Sequence, residues 1–411
     1  MGRSIVIILV AAAYFALDLY VYQAIKLVVA DFSPVTRRVL VGVYFLISAL
    51  LLMGLLLYQQ LDPKQFANLR LIITTTFTIT LLGKVVSALF LLTDDLRRFV
   101  TYIMSLFPSE NTSERDPSRS EFISKSALIA GSVPIAVFSF GILSGAHDYR
   151  VRKHIIHSKS LPKSFDGIRL VQISDIHTGS FFNKTAVAGG VDMINQQKAD
   201  LVFFTGDLVN NESEEAKPYL DIFSKISAPL GVYSTMGNHD YGDYKSWSSP
   251  QAKLADVKQL HDMHRYMGWD ILLNEHRVIK QNGEELAILG LENWGAGRFS
   301  KYGDLAKTYA GTEDIPFKIL LSHDPSHWDA QVRPEYPDIN LMLAGHTHGM
   351  QFGIEIGDFR WSPSKYIYKQ WADMYKSGEQ YLYVNRGFGY LGYPGRVGIL
   401  PEITVIELKS V

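Results

Sequence analysis

Four long apolar runs fill the first third of this chain, at Ile5–Ala24, Val39–Leu57, Leu71–Leu92 and Ala127–Leu143. A bilayer core takes about 20 mostly apolar residues as a helix, because lipid offers the backbone no other hydrogen-bond partners. The run Leu50-Leu51-Leu52-Met53-Gly54-Leu55-Leu56-Leu57 is apolar all round rather than on one face, which argues against a surface helix of a soluble core. The first run is long, lacks a clear small-residue cleavage site and is followed by further runs, so it does not read as a signal peptide. Four transmembrane helices are expected over residues 1–146.

Two charges interrupt these runs, Asp18 in the first and Lys84 in the third. The two runs point the same way and the charges lie at matching depth. An opposite charge at that depth relieves the cost of burying either one. An Asp18–Lys84 pair is one expectation. The alternative places Asp18 near an interface and lets Lys84 snorkel. Basic residues flank both ends of the runs, and the cluster Arg150, Arg152, Lys153 after the last run favours a cytoplasmic location for the remainder of the chain. The stretch Ser109–Ser120 reads as a polar loop, and residues 147–166 read as a linker.

From Gly167 the pattern alternates. Strands are expected at Ile168–Ser174, Leu201–Phe204, Gly231–Thr235, Glu285–Leu291, Phe317–Leu321, Leu341–Leu343 and Ile403–Leu408, and helices at Lys184–Gln197, Glu214–Ile226 and Pro250–Met267. Apolar strands separated by helices imply an α/β fold with a largely parallel sheet covered on both faces. Ligands of such sheets gather beyond the carboxyl ends of the strands. Each polar motif of this region falls there.

The motifs are Asp175-Ile176-His177, Gly206-Asp207, Gly237-Asn238-His239-Asp240, His323-Asp324 and Gly345-His346-Thr347-His348. The chain has no cysteine, so any metal must be held by nitrogen and oxygen. Carboxylate, amide and imidazole together suit manganese, iron or zinc better than calcium. Seven such ligands are too many for one tetrahedral zinc with an open position. They fit two metals about 3.5–4 Å apart that share a carboxylate. The formal net charge of −1 gives no reason to expect nucleic acid.

In this order the motifs resemble the calcineurin-like metallophosphoesterase superfamily, over roughly Gly167–Leu408, and its membrane-anchored bacterial type in particular. The resemblance implies a four-layer α/β/β/α sandwich in residues 167–411, preceded here by the four-helix transmembrane region. It implies that Asp175, His177 and His348 hold one metal, that Asn238, His323 and His346 hold the other, and that Asp207 bridges them. His239 would face the substrate phosphate with Asn238 and act as proton donor, with Asp240 orienting it. Two divalent ions, manganese first with iron or zinc compatible, would activate a water and neutralise phosphoryl oxygens. Asp324 is a candidate acceptor behind the histidine ligands. Asn210 stands where many relatives carry aspartate.

The remaining histidines read as structural, including His261 and His264 on one expected helix and the unpatterned His276 and His327. The glycine-rich stretch Asn385–Arg396 reads as a tight loop or as a pocket wall whose Arg386 and Arg396 bind anionic substrate. The aromatic stretch Trp361, Tyr366, Tyr368, Trp371, Tyr375 reads as packing or as a bilayer seat. Three functions stay open. The first is hydrolysis of a phosphorylated or nucleotide-linked lipid at a bacterial inner membrane. The second is an anchored phosphodiesterase or phosphatase for a soluble substrate. The third is a non-catalytic scaffold or transport protein. The expected partners are that substrate and membrane lipids.

Overall fold

The computed structural model describes residues 2–62, 65–106, 117–357 and 359–411. The chain divides into two compact units, Met1–Phe140 and Gly141–Val411.

The first unit is helical: α1 (Gly2–Val28), α2 (Pro34–Leu57), α3 (Ala67–Ser105) and α4 (Pro117–Leu143). All four helices are long and apolar enough to cross a membrane. The helix α3 runs 39 residues, about 58 Å at 1.5 Å per residue, and so exceeds a bilayer core. It continues past Leu92, where the apolar run ends and a connection is expected. It stays helical because Arg97 and Arg98 neutralise Asp94 one turn back, at 2.8 and 2.7 Å. Most of the polar stretch expected as a loop, residues 109–116, lies outside the described residues.

The expected Asp18–Lys84 pair forms, at 2.5 Å, with both side chains buried. Ser48 bridges it, donating to Asp18 Oδ1 at 2.9 Å and accepting from Lys84 at 3.0 Å. The Lys84 ammonium also lies 3.6 Å from the Tyr14 ring centroid. Asp18, Ser48 and Tyr14 thus meet the cation on three sides.

The second unit has fourteen strands among the described residues. They are β1 (Arg150–Ser158), β2 (Arg169–Ile173), β3 (Leu201–Phe204), β4 (Val232–Ser234), β5 (Asp270–Ile271), β6 (Glu275–Gln281) and β7 (Glu284–Gly290), then β8 (Lys318–Leu321), β9 (Leu341–Ala344), β10 (Ile354–Ile356), β11 (Phe359–Trp361), β12 (Asp373–Ser377), β13 (Gln380–Val384) and β14 (Glu402–Ser410). Two six-stranded sheets form in the orders β1-β14-β2-β3-β4-β5 and β12-β13-β9-β8-β7-β6, and β10-β11 is a separate hairpin. The stretch expected as a linker is corrected here. Residues 150–158, mostly polar in sequence, pair in parallel with β14 over nine positions. The largely parallel expectation holds, with antiparallel exceptions where β14 meets β2 and at the sheet-edge pairs β6–β7 and β12–β13.

Period-two alternation builds the layers. Leu201 and Phe203 face Ile319 and Leu321 in a core between the two sheets. Val202 and Phe204 face outward into a second core with Val187, Val191 and Ile194 of α5 (Lys184–Gln196). Leu320 and Met342 face a third core with Trp328 and Val332. Three cores separate four layers, which is the α/β/β/α sandwich. The expected helix Glu214–Ile226 is broken into the short 3-10 helices Ser213–Glu215 and Lys217–Tyr219 and the single α-helical turn α6 (Leu220–Phe223), since Pro218 lacks the N–H that a continuous helix needs. The helix α7 (Pro250–Tyr266) begins at a Ser249 cap and buries His264 against Ser234 at 2.9 Å.

Candidate metal centre

Every ligand motif sits just past a strand of the two sheets. The turns after those strands are tight, and five ligand residues have left-handed backbone: Asp175, His177, Asp207, His346 and His348, with φ between 50 and 72°. Such conformations are uncommon for non-glycine residues and persist only where surrounding bonds over-determine them. Those bonds are present. Asp175 accepts from His346 N–H at 3.0 Å. The Gly-rich loop donates from Phe388 N–H to Ser174 O and from Gly389 N–H to Asp175 O, at 2.7 and 2.9 Å. Gly206 precedes Asp207 at φ 97°, where a Cβ would collide with the backbone nitrogen of Gly237.

Two clusters result, Asp175–His177–His348 and Asp207–His323–His346. They meet on one atom: Asp207 Oδ2 lies 3.5 Å from His177 Nε2 and 3.2 Å from His323 Nε2. Its other oxygen is held by His239 N–H at 2.9 Å. His348 Nε2 is 3.0 Å from His177 Nε2 and 3.2 Å from Asp175 Oδ1. Asn238 Oδ1 joins the second cluster 2.8 Å from His346 Nδ1. Its amide orientation is set by Nδ2 donating to Tyr244 at 2.8 Å. All seven expected ligands are brought together.

The donor set fits cations. Asp175 and Asp207 are fully buried side by side, and two uncompensated buried carboxylates are very costly. Burial alone would lower the His323 pKa, yet Asp207 and Asp175 outweigh it and raise it to about 10. The pocket therefore attracts positive charge strongly. Burial holds His177 neutral, with its pKa lowered to about 3, the form a metal ligand needs. Among the described residues, buried His323 Nε2 makes no well-aligned hydrogen bond and has the Asp207 carboxylate near it, as an atom aimed at a cation would.

The groups behind these ligands include several that the motifs did not reveal. His177 Nδ1 meets Asn210 Oδ1 at 3.1 Å, and His239 Nδ1 meets the Asn210 carbonyl at 2.8 Å. One residue thus sets both imidazoles. His323 Nδ1 donates to Thr205 O at 2.7 Å, so the acceptor is a backbone carbonyl and not Asp324. Asp324 lies 3.8 Å from His346 Nε2. The Tyr368 hydroxyl is nearer, at 2.7 Å. The Tyr244 ring also packs against His239 at a tilt, with centroids 4.6 Å apart.

Three expectations need correction. Asp240 does not orient His239. Its carboxylate accepts from the backbone N–H groups of Asp207, Leu208, Val209 and Gly237 at 2.8–3.2 Å, so it ties the Asp207 turn to the Asn238 turn. Arg386 is fully buried and bound to Glu355, Glu402 and Asp373 at 2.7, 2.6 and 3.2 Å. It has no free edge for substrate. Arg396 is buried as well. It donates to the carbonyls of Gly387 and Gly389 and faces His348 Nδ1 at 3.3 Å. It braces a ligand from behind. Sequence could not separate these arginines from substrate-facing ones, because their carboxylate and carbonyl partners are distant or share the same loop.

The arrangement is that of a two-cation hydrolase centre. Residues 168–350 match the family described as "Calcineurin-like phosphoesterase". Residues 3–146 match "Probable Calcineurin-like phosphoesterase, transmembrane domain". The chain is 32% identical over 269 residues to the metallophosphoesterase YkuE of Bacillus subtilis, covering 64% of this chain and 87% of that protein. It is 30% identical to a zebrafish "Transmembrane protein with metallophosphoesterase domain", covering 70% of this chain but only 63% of that one. Among solved structures, the sulfate thiohydrolase SoxB of Thermus thermophilus superposes with a TM-score of 0.35 at 12% identity, over 61% of this chain and 57% of that one. The chain belongs to the calcineurin-like metallophosphoesterases and is a membrane protein of that family. It is a phosphoesterase hydrolase that uses divalent metal ions.

Proposed function

We propose that this protein hydrolyses a phosphodiester or pyrophosphate bond of a phosphorylated or nucleotide-linked lipid, with two manganese ions, at the cytoplasmic face of a bacterial inner membrane. The observation that carries the reading is a full ligand set, Asp175, His177, Asp207, Asn238, His323, His346 and His348, in a chain with four membrane-spanning helices. Bound divalent ions would activate a water and offset charge on the phosphoryl oxygens. The protein's own groups do the rest. Asp207 and Asp175 supply the negative charge that holds the cations. His239, fixed through Nδ1 by the Asn210 carbonyl, presents Nε2 to the leaving oxygen as proton donor. Tyr244 lies beside that imidazole.

The test is turnover by the full chain in nanodiscs with manganese, comparing a lipid-borne ester with its water-soluble headgroup analogue. A higher kcat/KM on the lipid-borne ester is expected. Equal values would sink the lipid reading and leave a soluble substrate. Replacing His239 with Ala should cost about 10²–10⁴ in rate with manganese affinity kept. If metal-free Asp207→Asn retains its function in cells, the chain is a scaffold. Protease accessibility in right-side-out vesicles tests the orientation.

A further inference from the structure

Exposed large apolar side chains of the second unit are mostly scattered singly, as at Ile155, Leu254 and Tyr266. One stretch is different. Met350, Ile354, Ile356, Phe359, Tyr366 and Ile367 are all exposed, Ile356 and Tyr366 to 73%. They lie between the His348 turn and β12. Of the aromatic stretch read from sequence as packing or a bilayer seat, only Tyr366 belongs to this surface. Trp371 is buried, while Trp361, Tyr368 and Tyr375 are half-buried.

The hairpin β10–β11 inverts the pattern of a soluble ribbon. A two-stranded hairpin alone is marginal in water, and this one is held by charge on its inner face. Glu355, paired across the ribbon with Arg360, binds Arg386 at 2.7 Å and also Arg152. Arg360 binds Asp373 at 2.6 Å. Ile356 and Phe359 form the neighbouring cross-strand pair, so their side chains take the opposite face. The charged face is turned to the protein and the apolar face to the surroundings. The turn Pro363–Tyr366 comes next, with exposed Lys365 and Lys369 on either side of Tyr366 and Ile367. Tyr368, next in the chain, is the residue whose hydroxyl reaches His346.

We propose that the apolar face of β10–β11 and the turn after it form a membrane seat. Ile356, Phe359, Tyr366 and Ile367 enter the headgroup–acyl boundary of a bilayer containing anionic phospholipid, and Lys365 meets its phosphates, while Lys369 is held by Asp329 at 3.3 Å. The chain carries its own four membrane helices, so it resides at a bilayer throughout its working life. A second copy fits less well, because a two-fold contact on this patch would bring the exposed lysines Lys365 and Lys369 of both copies into one interface. The seat deepens the lipid-substrate reading and rests on it for one consequence only: the adjoining Tyr368 reaches His346, so a lipid-borne substrate would meet the site beside the seat.

The chain lacks cysteine, so a single cysteine at 356, 359 or 367 gives a unique thiol for an environment-sensitive fluorophore. The full chain is reconstituted in nanodiscs of phosphatidylcholine and phosphatidylglycerol. The expected result is a blue shift at these positions and loss of emission to nitroxide-labelled lipid. A label at Leu254 on α7 should show neither. Aqueous emission at all three positions overturns the proposal. So does a blue shift that tracks protein concentration and ignores nitroxide lipid, which would assign the face to a second copy. The double variant Ile356→Asp/Phe359→Asp should raise KM for a lipid-borne ester and leave turnover of a soluble ester unchanged. The labelling result holds whatever the substrate proves to be, so failure of the seat and failure of the lipid reading can be told apart.

Discussion

At the scale of single residues, Asn210 carries more of the site than its place in the motif suggested. Its side-chain oxygen sets His177 and its carbonyl sets His239. Partners behind metal-bound histidines are worth about 10–100-fold in affinity or activity. Asn210→Ala should therefore weaken manganese binding by roughly that factor, measured by titration calorimetry, while Asn210→Asp, which keeps the acceptor oxygen, should stay near wild type. Arg386 makes the opposite point. Burial alone would raise the Glu402 pKa, but Arg386 and Arg152 outweigh it and hold the carboxyl below its ordinary 4.5. The group's folded pKa is depressed, so its stabilisation is fully present above the unfolded value and is lost as pH falls through the folded one. Removing one member of a buried ion pair costs about 3–5 kcal/mol. Arg386→Met should lower stability by an amount of that order in denaturant titrations and shift acid unfolding to higher pH, with KM little changed. A large selective rise in KM would restore Arg386 as a substrate residue.

At the scale of elements, the transmembrane helices are bound through small and paired polar groups. Ser87 of α3 donates to the Ala127 carbonyl of α4 at 3.0 Å. A Cβ on Gly131 would strike the Ser87 hydroxyl. Close approach of this kind replaces the hydrophobic drive that lipid cannot supply. The Asp18–Lys84 pair links α1 to α3. Lys84→Met should lower the melting temperature of the purified protein in detergent, because Asp18 then loses its cation. Exchanging the two charges, Asp18→Lys with Lys84→Asp, should recover part of the loss. No recovery would argue that the loss in Lys84→Met does not come from the direct pairing of the two charges. In the second unit, β1 belongs to the sheet by nine residues of pairing, so deletion within 150–158 should unfold the domain rather than shorten a tether.

For the whole molecule, the ligands come from turns scattered between Asp175 and His348, and no one segment assembles the site. Buried Asp175 and Asp207 repel each other unless cations lie between them. Chelation should therefore destabilise the catalytic unit as well as abolish turnover. At about 100 times Kd, a bound metal adds about 2.7 kcal/mol. The apparent melting temperature should drop with EDTA and return with manganese, and an unchanged value would mean that the cations do not bind the folded site.

Much of this was legible in the order of residues. The four spans come from run length alone, since lipid leaves a helix no other way to satisfy its backbone. The seven ligands come from motifs past strand ends, because side-chain type and strand position are local properties. The Asp18–Lys84 pair comes from matching depth. The rest depended on partners far apart in the chain. β1 reads as a linker until β14, some 250 residues on, supplies its hydrogen bonds. Asp240 looks like a partner for its neighbour His239, yet the chain turns its carboxylate to four backbone N–H groups. Arg386 and Arg396 look alike in one loop, and only packing decides that one meets three carboxylates and the other a histidine ligand. Residue chemistry and spacing by themselves determined which atoms could bind metal and which segments could enter lipid. Tertiary structure decided which charges face each other, because burial and pairing energies depend on distances that only the folded chain sets.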